Sequence, residues 1–364
     1  MGKLAVLSLV AVAISVLIGE RLITLRHLTL SSRALTQNYL PNCHLIEGIE
    51  FGAEDITILE DGLAFLSTGL KFPGLPSYSD DPGKIYTLDL LDSGQNIQAL
   101  SIKGEFDEDS FNPHGISVYT DDKDGAIYVF VVNHPQGKSQ VEIFRFVEEE
   151  NSLQYIKTIK HDLLRSVNDI VAVGTERFYA TNDHYFTNGF LKFLEPFLTL
   201  AWCDVIYYSP ETVQVVAGGF LSANGINISP DKRQVSEEKP RHLYVSDVMN
   251  HKIVVLEIQK NTILSRLKEV DVGSLCDNIE VDRKTGDLWL GSHPNGLKFL
   301  LSDPNDPPGS EVIKIQDILS EKPQVTQVYA DNGSVIIGSS VAARYGGKLL
   351  IGTVYQKALI CDLE

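Results

Sequence analysis

Six stretches of this chain repeat one pattern, in which polar residues stand directly before a β-branched run. They read "AEDITIL" (53–59), "PHGISVY" (113–119), "VNDIVAV" (167–173), "ANGINIS" (223–229), "CDNIEVD" (276–282) and "NGSVIIG" (332–338). Aligned on the first β-branched residue they give Ile56, Ile116, Ile170, Ile226, Ile279 and Val335, at intervals of 60, 54, 56, 53 and 56 residues. A turn signal and a second strand-like run follow each one: "GLAFLSTG", "GAIYVFVVN", "ERFYATND", "RHLYVSDV", "GDLWLGSH" and "GKLLIGTV". Helical periodicity is confined to the N-terminus and to about 186–200. Repetition at this period, with several short strands per unit, predicts an all-β fold, a six-bladed β-propeller around a central tunnel. A β-sandwich is the alternative, and the regular spacing disfavours it.

If the repeats are equivalent, their polar residues sit at the start of each blade's inner strand and converge on the axis. These are Glu54 and Asp55, His114, Asn168 and Asp169, Asn224, Asp277 and Asn278. Carboxylates and amide oxygens meeting in one tunnel repel unless a cation lies between them. Hard oxygen donors without a cysteine or histidine cluster suit Ca²⁺, which takes six to eight oxygens. Any single Asx before a strand is explained as well by a local turn; six registered occurrences are not.

The net charge of −17 argues against nucleic acid as a partner, since phosphate binding needs a basic face. Residues 4–19 carry no charge, a stretch short for a membrane span but suited to a secretory signal. No clean small-residue cleavage site follows, and the helical pattern runs on through "RLITLRHLTL". The expectation is a retained hydrophobic anchor over 1–35 and one propeller over 36–364. In the secretory route the four cysteines, Cys43, Cys203, Cys276 and Cys361, allow three full pairings. "NGS" at Asn332 is a glycosylation acceptor; "NIS" at Asn227 lies inside an apolar strand and is expected to be buried.

Taken together, "FNPHGIS", "VVNHP", "VNDIVAVG", "YATNDHYF", "YYSP", "SANGINISPD", "HPNG", "ILSEKP" and "KLLIGTV" resemble the paraoxonases, a calcium-dependent lactonase and arylesterase family. The resemblance runs the length of the chain. It implies two calcium ions in the tunnel: a catalytic ion on Glu54, Asn168, Asn224, Asp277 and Asn278, and a structural ion on Asp55, the backbone carbonyl of Ile116, and Asp169. It further implies a histidine dyad of His114 and His134, and a disulfide between Cys43 and Cys361 that closes the ring. Leu70, Lys71, Phe72, Ser222, Leu300, Ser340 and Val354 correspond to wall positions of the substrate site. Ser292 stands where relatives usually carry a cysteine, Cys203 and Cys276 read as buried free thiols, and residues 231–241 read as a lengthened surface loop.

The chemistry expected is ester and lactone hydrolysis, with Ca²⁺ polarising the carbonyl and His114 activating water. His134 orients His114 or passes the proton on, with Asp183 and His184 in support. No G-x-S-x-G elbow competes. Two segments are read as meeting a lipid surface, of lipoprotein or membrane: the N-terminal anchor and the Phe/Leu-rich stretch 185–202, for which a helix buried in the protein is the alternative. The competing expectation is a non-catalytic, calcium-stabilised propeller that binds lipid or membrane partners.

Overall fold

The computed structural model describes residues 2–71, 80–92, 94, 96–230 and 241–363. Phe72 and most of the 231–241 stretch therefore lie outside the described residues. The chain builds a six-bladed β-propeller, and the sandwich alternative falls. Inner strands run Ala53–Ile58 (blade 1), Pro113–Thr120 (blade 2), Val167–Gly174 (blade 3), Ala223–Ile228 (blade 4), Leu275–Val281 (blade 5) and Ile337–Tyr345 (blade 6). Each blade is an antiparallel sheet of four strands among the described residues, except that blade 2 gains Ser101–Lys103 as a parallel fifth strand.

The sixth unit corrects the sequence alignment. Its inner strand begins at Ile337, so Val335 lies before it, in a turn where the Asp331 carboxylate accepts the backbone N–H groups of Ser334, Val335 and Ile336. Ser339 and Ser340 take the place that acidic and amide side chains hold elsewhere.

The core lies between blades. An apolar cluster fills each interface: Leu66 and Ile56 meet Val341 and Leu350 between blades 1 and 6, and Phe65 meets Ile116 and Phe144 between blades 1 and 2. Phe130 and Ile143 meet Ile170 and Phe178 between blades 2 and 3. Full burial of such side chains stabilises by about 1.5–3 kcal/mol each.

No backbone ladder joins one inner strand to the next, so side chains bridge them. Asp55 Oδ2 accepts from Ile116 N (2.8 Å), Ser117 Oγ from Ala172 N (3.0 Å), and Asp169 Oδ2 from Ile226 N (2.7 Å). Asn227 Nδ2 donates to Ile279 O (2.8 Å), Ser340 Oγ to Glu54 O (2.6 Å), and between blades 6 and 5 Ser339 Oγ reaches Ser292 O on blade 5's second strand (2.9 Å). The belt is complete. Asn227, half-buried within it, is not a surface residue.

The ring closes where the chain ends meet. His44–Leu45 pairs antiparallel with Leu359–Ile360 at the outer edge of blade 6, and Cys43 is bonded to Cys361 across 318 residues. Cys203 and Cys276 are free and buried, as expected.

Helix α1 (Gly2–Leu28) has 27 residues, about 40 Å at 1.5 Å per residue, and Ala5–Leu28 is long and apolar enough to cross a membrane. The helix thus outruns the short uncharged stretch, yet stops before residue 35. The chain after it is docked onto blades 4 and 5. His251 Nε2 donates to Leu28 O (2.8 Å), Gly296 N to Thr29 O (2.7 Å), and the Arg33 guanidinium grips Glu311 with two bonds of 2.6 and 2.8 Å. Helix α2 (Gly189–Leu198) follows blade 3's second strand, with Asn188 capping its N-terminus, and Arg21 of α1 donates to Thr199 at its end. A short helix α3 (Gly296–Leu301), not anticipated from the sequence, leaves blade 5 beside the α1 exit.

Loss of the disulfide in Cys361→Ser should destabilise the protein by up to about 5 kcal/mol on the loop-entropy model, read as a lower denaturant midpoint. Glu311 makes a pH-dependent prediction. Burial opposes its ionisation, but Arg33, Ser274 and Gln327 hold its pKa below the usual value. A depressed carboxylate stabilises above the ordinary glutamate pKa of about 4.3 and loses that effect as pH falls through the folded value. Glu311→Gln should therefore lower the melting temperature at pH 7, and the gap from the parent should narrow below about pH 4.

Candidate active site in the tunnel

Every inner strand breaks its pairing register at the polar positions: between Ala53 and Asp55, Pro113 and Ile116, Val167 and Ile170, Ala223 and Ile226, Cys276 and Ile279, and around Ser339. A bulge bends the strand and re-aims its side chains. Here it turns Glu54, His114, Asn168, Asn224, Asp277 and Asn278 toward the axis. Two glycines make room for the turn. A Cβ on Gly115 would lie 2.4 Å from Asp169 Oδ1, and one on Gly225 2.4 Å from Asp277 O.

The upper layer of the tunnel is held by its nitrogens. Asn278 Nδ2 donates to Glu54 O and Oε1 (both 2.9 Å), and Asn168 Nδ2 to Asp183 Oδ2 (3.5 Å). The oxygens are left over. Glu54 Oε2, Asn168 Oδ1, Asn224 Oδ1 and Asn278 Oδ1, from blades 1, 3, 4 and 5, are buried with no hydrogen-bond partner. An unpaired buried polar atom costs about 1–3 kcal/mol, so four such atoms are expensive unless something fills them. Among the described residues, no three His, Cys, Asp or Glu side chains gather as a metal cluster of those types. The donor set is instead amide-rich oxygen, which fits a hard cation such as Ca²⁺ and not a zinc-like ion.

Asp55 and Asp169 form a second, lower layer, and their oxygens are occupied. Besides the bridges to Ile116 and Ile226, Asp55 Oδ1 accepts from Ile56 N (2.9 Å) and Asp169 Oδ1 from Ile170 N (2.7 Å). Among the described residues neither forms an ion pair. Burial, then the Glu54 charge, pushes the Asp55 pKa up to about 8; burial and Asp55 raise Asp169 well above the carboxylate range. Beneath this layer the tunnel opens into a cavity of about 910 Å³, lined also by Asn227 and Glu280 and, among the described residues, by no histidine.

His114 and His134 meet as expected, Nδ1 to Nε2 at 3.0 Å, with His114 Nε2 3.5 Å from Glu54 Oε1. Burial works against a charged His114, but the Glu54 carboxylate, with Asp183 and Asp277, holds its pKa above the usual value. Burial and the neighbouring His114 lower that of His134 to about 3. The outer nitrogen of His134, Nδ1, lies 3.2 Å from Ser139 Oγ. Asp183 bonds His184 Nδ1 (2.8 Å) and Ser166 Oγ (2.5 Å), and Lys192 of α2 donates to the same hydroxyl (2.7 Å). Burial opposes ionisation of Asp183, yet His184 and Lys192 keep it well below the carboxylate range.

The wall residues divide. Lys71 is clamped by Asn112, which accepts from its N–H (2.7 Å) and donates to its carbonyl (2.9 Å). Leu300 is exposed on α3, and Leu70, Ser222 and Val354 are half-buried. Ser340 is not a wall residue: it is fully buried, with its hydroxyl on Glu54 O.

One site residue escaped the sequence reading. His293, buried at the end of blade 5's second strand, bonds Asp277 Oδ2 through Nε2 at 2.9 Å. Its signal was present. Second strands also end at Asn133–His134, Asn182–Asp183 and Asp247, so aligning those ends as the starts were aligned points to His293.

The family model described as Arylesterase matches residues 34–363. Serum paraoxonase/arylesterase 2 of Rattus norvegicus is 56% identical over 364 residues, all of both chains. Serum paraoxonase/lactonase 3 of Homo sapiens is 53% identical, also over all of both. Among solved structures a gluconolactonase from Xanthomonas campestris is similar in fold, with a TM-score of 0.51 at 13% identity, covering 91% of this chain and 99% of that one.

Proposed function

The chain belongs to the arylesterase family, a hydrolase of esters and lactones, and on that premise we propose that its tunnel works as a calcium-dependent site with a histidine dyad. The four unpartnered oxygens of Glu54, Asn168, Asn224 and Asn278 carry this reading. With Asp277 they would hold the catalytic ion. Asp55, Asp169 and the Ile116 carbonyl would hold a second, structural one. When bound, the catalytic ion supplies a Lewis acid for the substrate carbonyl oxygen, whose developing charge it stabilises.

The remaining steps fall to the chain. His114 faces the cluster with Nε2 and His134 with Nδ1, so Nε2 takes the proton of the attacking water while Nδ1–H donates to His134. A depressed pKa keeps His134 neutral, an acceptor at Nε2 and a donor to Ser139 at Nδ1. Glu54 stabilises the imidazolium that forms, and His114 then returns the proton to the leaving alcohol. Asp183 keeps the Asn168 amide turned, so that its oxygen and not its nitrogen meets the axis.

The apolar rim suits aliphatic lactones and aryl esters. Lipid contact is a further part of the reading. Phe190, Phe193 and Leu198 of α2 are exposed, as is the apolar length of α1, and Arg21 ties the two helices. An uncleaved α1 would anchor the protein in the secretory pathway with the tunnel mouth toward lipid, and exposed Asn332 would carry a glycan.

Chelation should abolish hydrolysis of a medium-chain lactone and of phenyl acetate, and restored calcium should return it. Asp277→Ala should lose at least about 100-fold in kcat while staying folded by circular dichroism; full activity would refute the ligand assignment. Asp55→Ala should act instead on stability, lowering the melting temperature in saturating calcium, and an unchanged value would exclude a structural ion at that layer.

A further inference from the structure

We propose that His293 is a positioning residue that fixes the Asp277 carboxylate for the catalytic ion. The inference rests on the calcium reading above and deepens it.

A carboxylate only accepts, so the 2.9 Å contact between His293 Nε2 and Asp277 Oδ2 puts the ring proton on Nε2. Oδ2 is thereby committed and Oδ1 is the oxygen left for the ion. Nδ1 is buried with no partner. A histidine kept to knit a core would use both nitrogens; this one uses a single bond, and that bond goes to the candidate ligand.

The ring is also held in plane. Phe299 of α3 stacks on it, centroids 4.0 Å apart at 28°. Phe299 is in turn held by Tyr355, which packs on its ring (5.1 Å) and donates its hydroxyl to Phe299 O (2.5 Å). Ser302 Oγ donates to the same tyrosine oxygen (2.8 Å). Blade 5's second strand, α3 and the last blade thus converge on one imidazole. Asp277 itself sits in a bulge, where the sheet ladder no longer fixes the side chain, so its direction must come from elsewhere. A carboxylate–histidine pair behind a metal ligand typically changes affinity or activity by about 10–100-fold.

The test compares His293→Leu, His293→Gln and Phe299→Leu with the parent, in calcium titration by chelator competition and in lactone kinetics at saturating calcium. His293→Leu should weaken one calcium-binding step about 10–100-fold and lower kcat, leaving the other step unchanged. His293→Gln, whose amide Nε2 can still donate to Asp277, should stay within a few-fold of the parent. Phe299→Leu should fall between them. A general structural defect would instead shift both binding steps and would not be rescued by glutamine; that pattern overturns the proposal. So does a His293→Leu protein with parental affinity and kcat while the parent binds two ions. A parent that binds no calcium refutes the calcium reading itself, and this proposal with it.

Discussion

The structure depends on one recurring distortion, the bulge near the start of each inner strand. A regular strand would send alternate side chains to the two faces of its blade, into the apolar seams. With one residue unpaired, adjacent polar side chains escape the alternation and reach the axis. Glu54 and Asp55, Asn168 and Asp169, and Asp277 and Asn278 are neighbours in sequence, yet all are buried in the tunnel. Glycine at 115 and 225 lets the next inner strand approach closely enough for the ring to shut. The seams stay apolar while the hub is polar, and each blade contributes to both.

That hub is wired in two ways. The lower carboxylates spend their oxygens on amides, Asp55 joining blade 1 to blade 2 and Asp169 joining blade 3 to blade 4. They are straps between blades, and burial together with the neighbouring carboxylates raises their pKa. In the upper layer the Asn168 and Asn278 amides donate through nitrogen, and four oxygens, of Glu54, Asn168, Asn224 and Asn278, are left without a partner. The two layers thus differ in what they leave unsatisfied: four oxygens above, none on Asp55 and Asp169 below.

Most of this architecture was legible in the sequence because the repeat is written in residue types that the fold cannot avoid. Polar residues before a β-branched run mark the bulge, and five of the six inner strands align on that signal. Blade 6 did not, because its tunnel residues are serines, Ser339 and Ser340, and the turn at Asp331–Ser334 imitates the pattern six residues early. The converging polar set, His114 included, came from the repeat, whereas His134 and the sorting of that set onto two ions came only from resemblance to a family. His293 was hidden for a different reason. It ends a second strand, and only the fold shows that those ends return to the tunnel mouth beside the bulges. Ser340, placed on the wall by the resemblance, is fully buried with its hydroxyl on Glu54 O, a contact across the ring that spacing along the chain does not reveal.

The same geometry ties the helical face to the chemistry. Helix α2 is apolar outward, but its one buried side chain is Glu195, whose two oxygens accept the backbone N–H groups of Tyr185 and Phe186 at 2.8 and 3.1 Å. Those residues directly follow His184, and Lys192, one turn earlier on the helix, reaches Ser166 and through it Asp183. A buried carboxylate held by backbone donors is costly to displace, so α2 cannot drift without disturbing the loop that carries Asp183 and His184. On the other side α1 is fastened through Leu28, Thr29 and Arg33 to blades 4 and 5, and α3 abuts that junction while holding Phe299 against His293. The mouth is thus not a loose rim around a rigid hub. Its helices are fixed by polar bonds inward and leave apolar faces outward, so whatever surface they meet is presented at a set distance from the histidines.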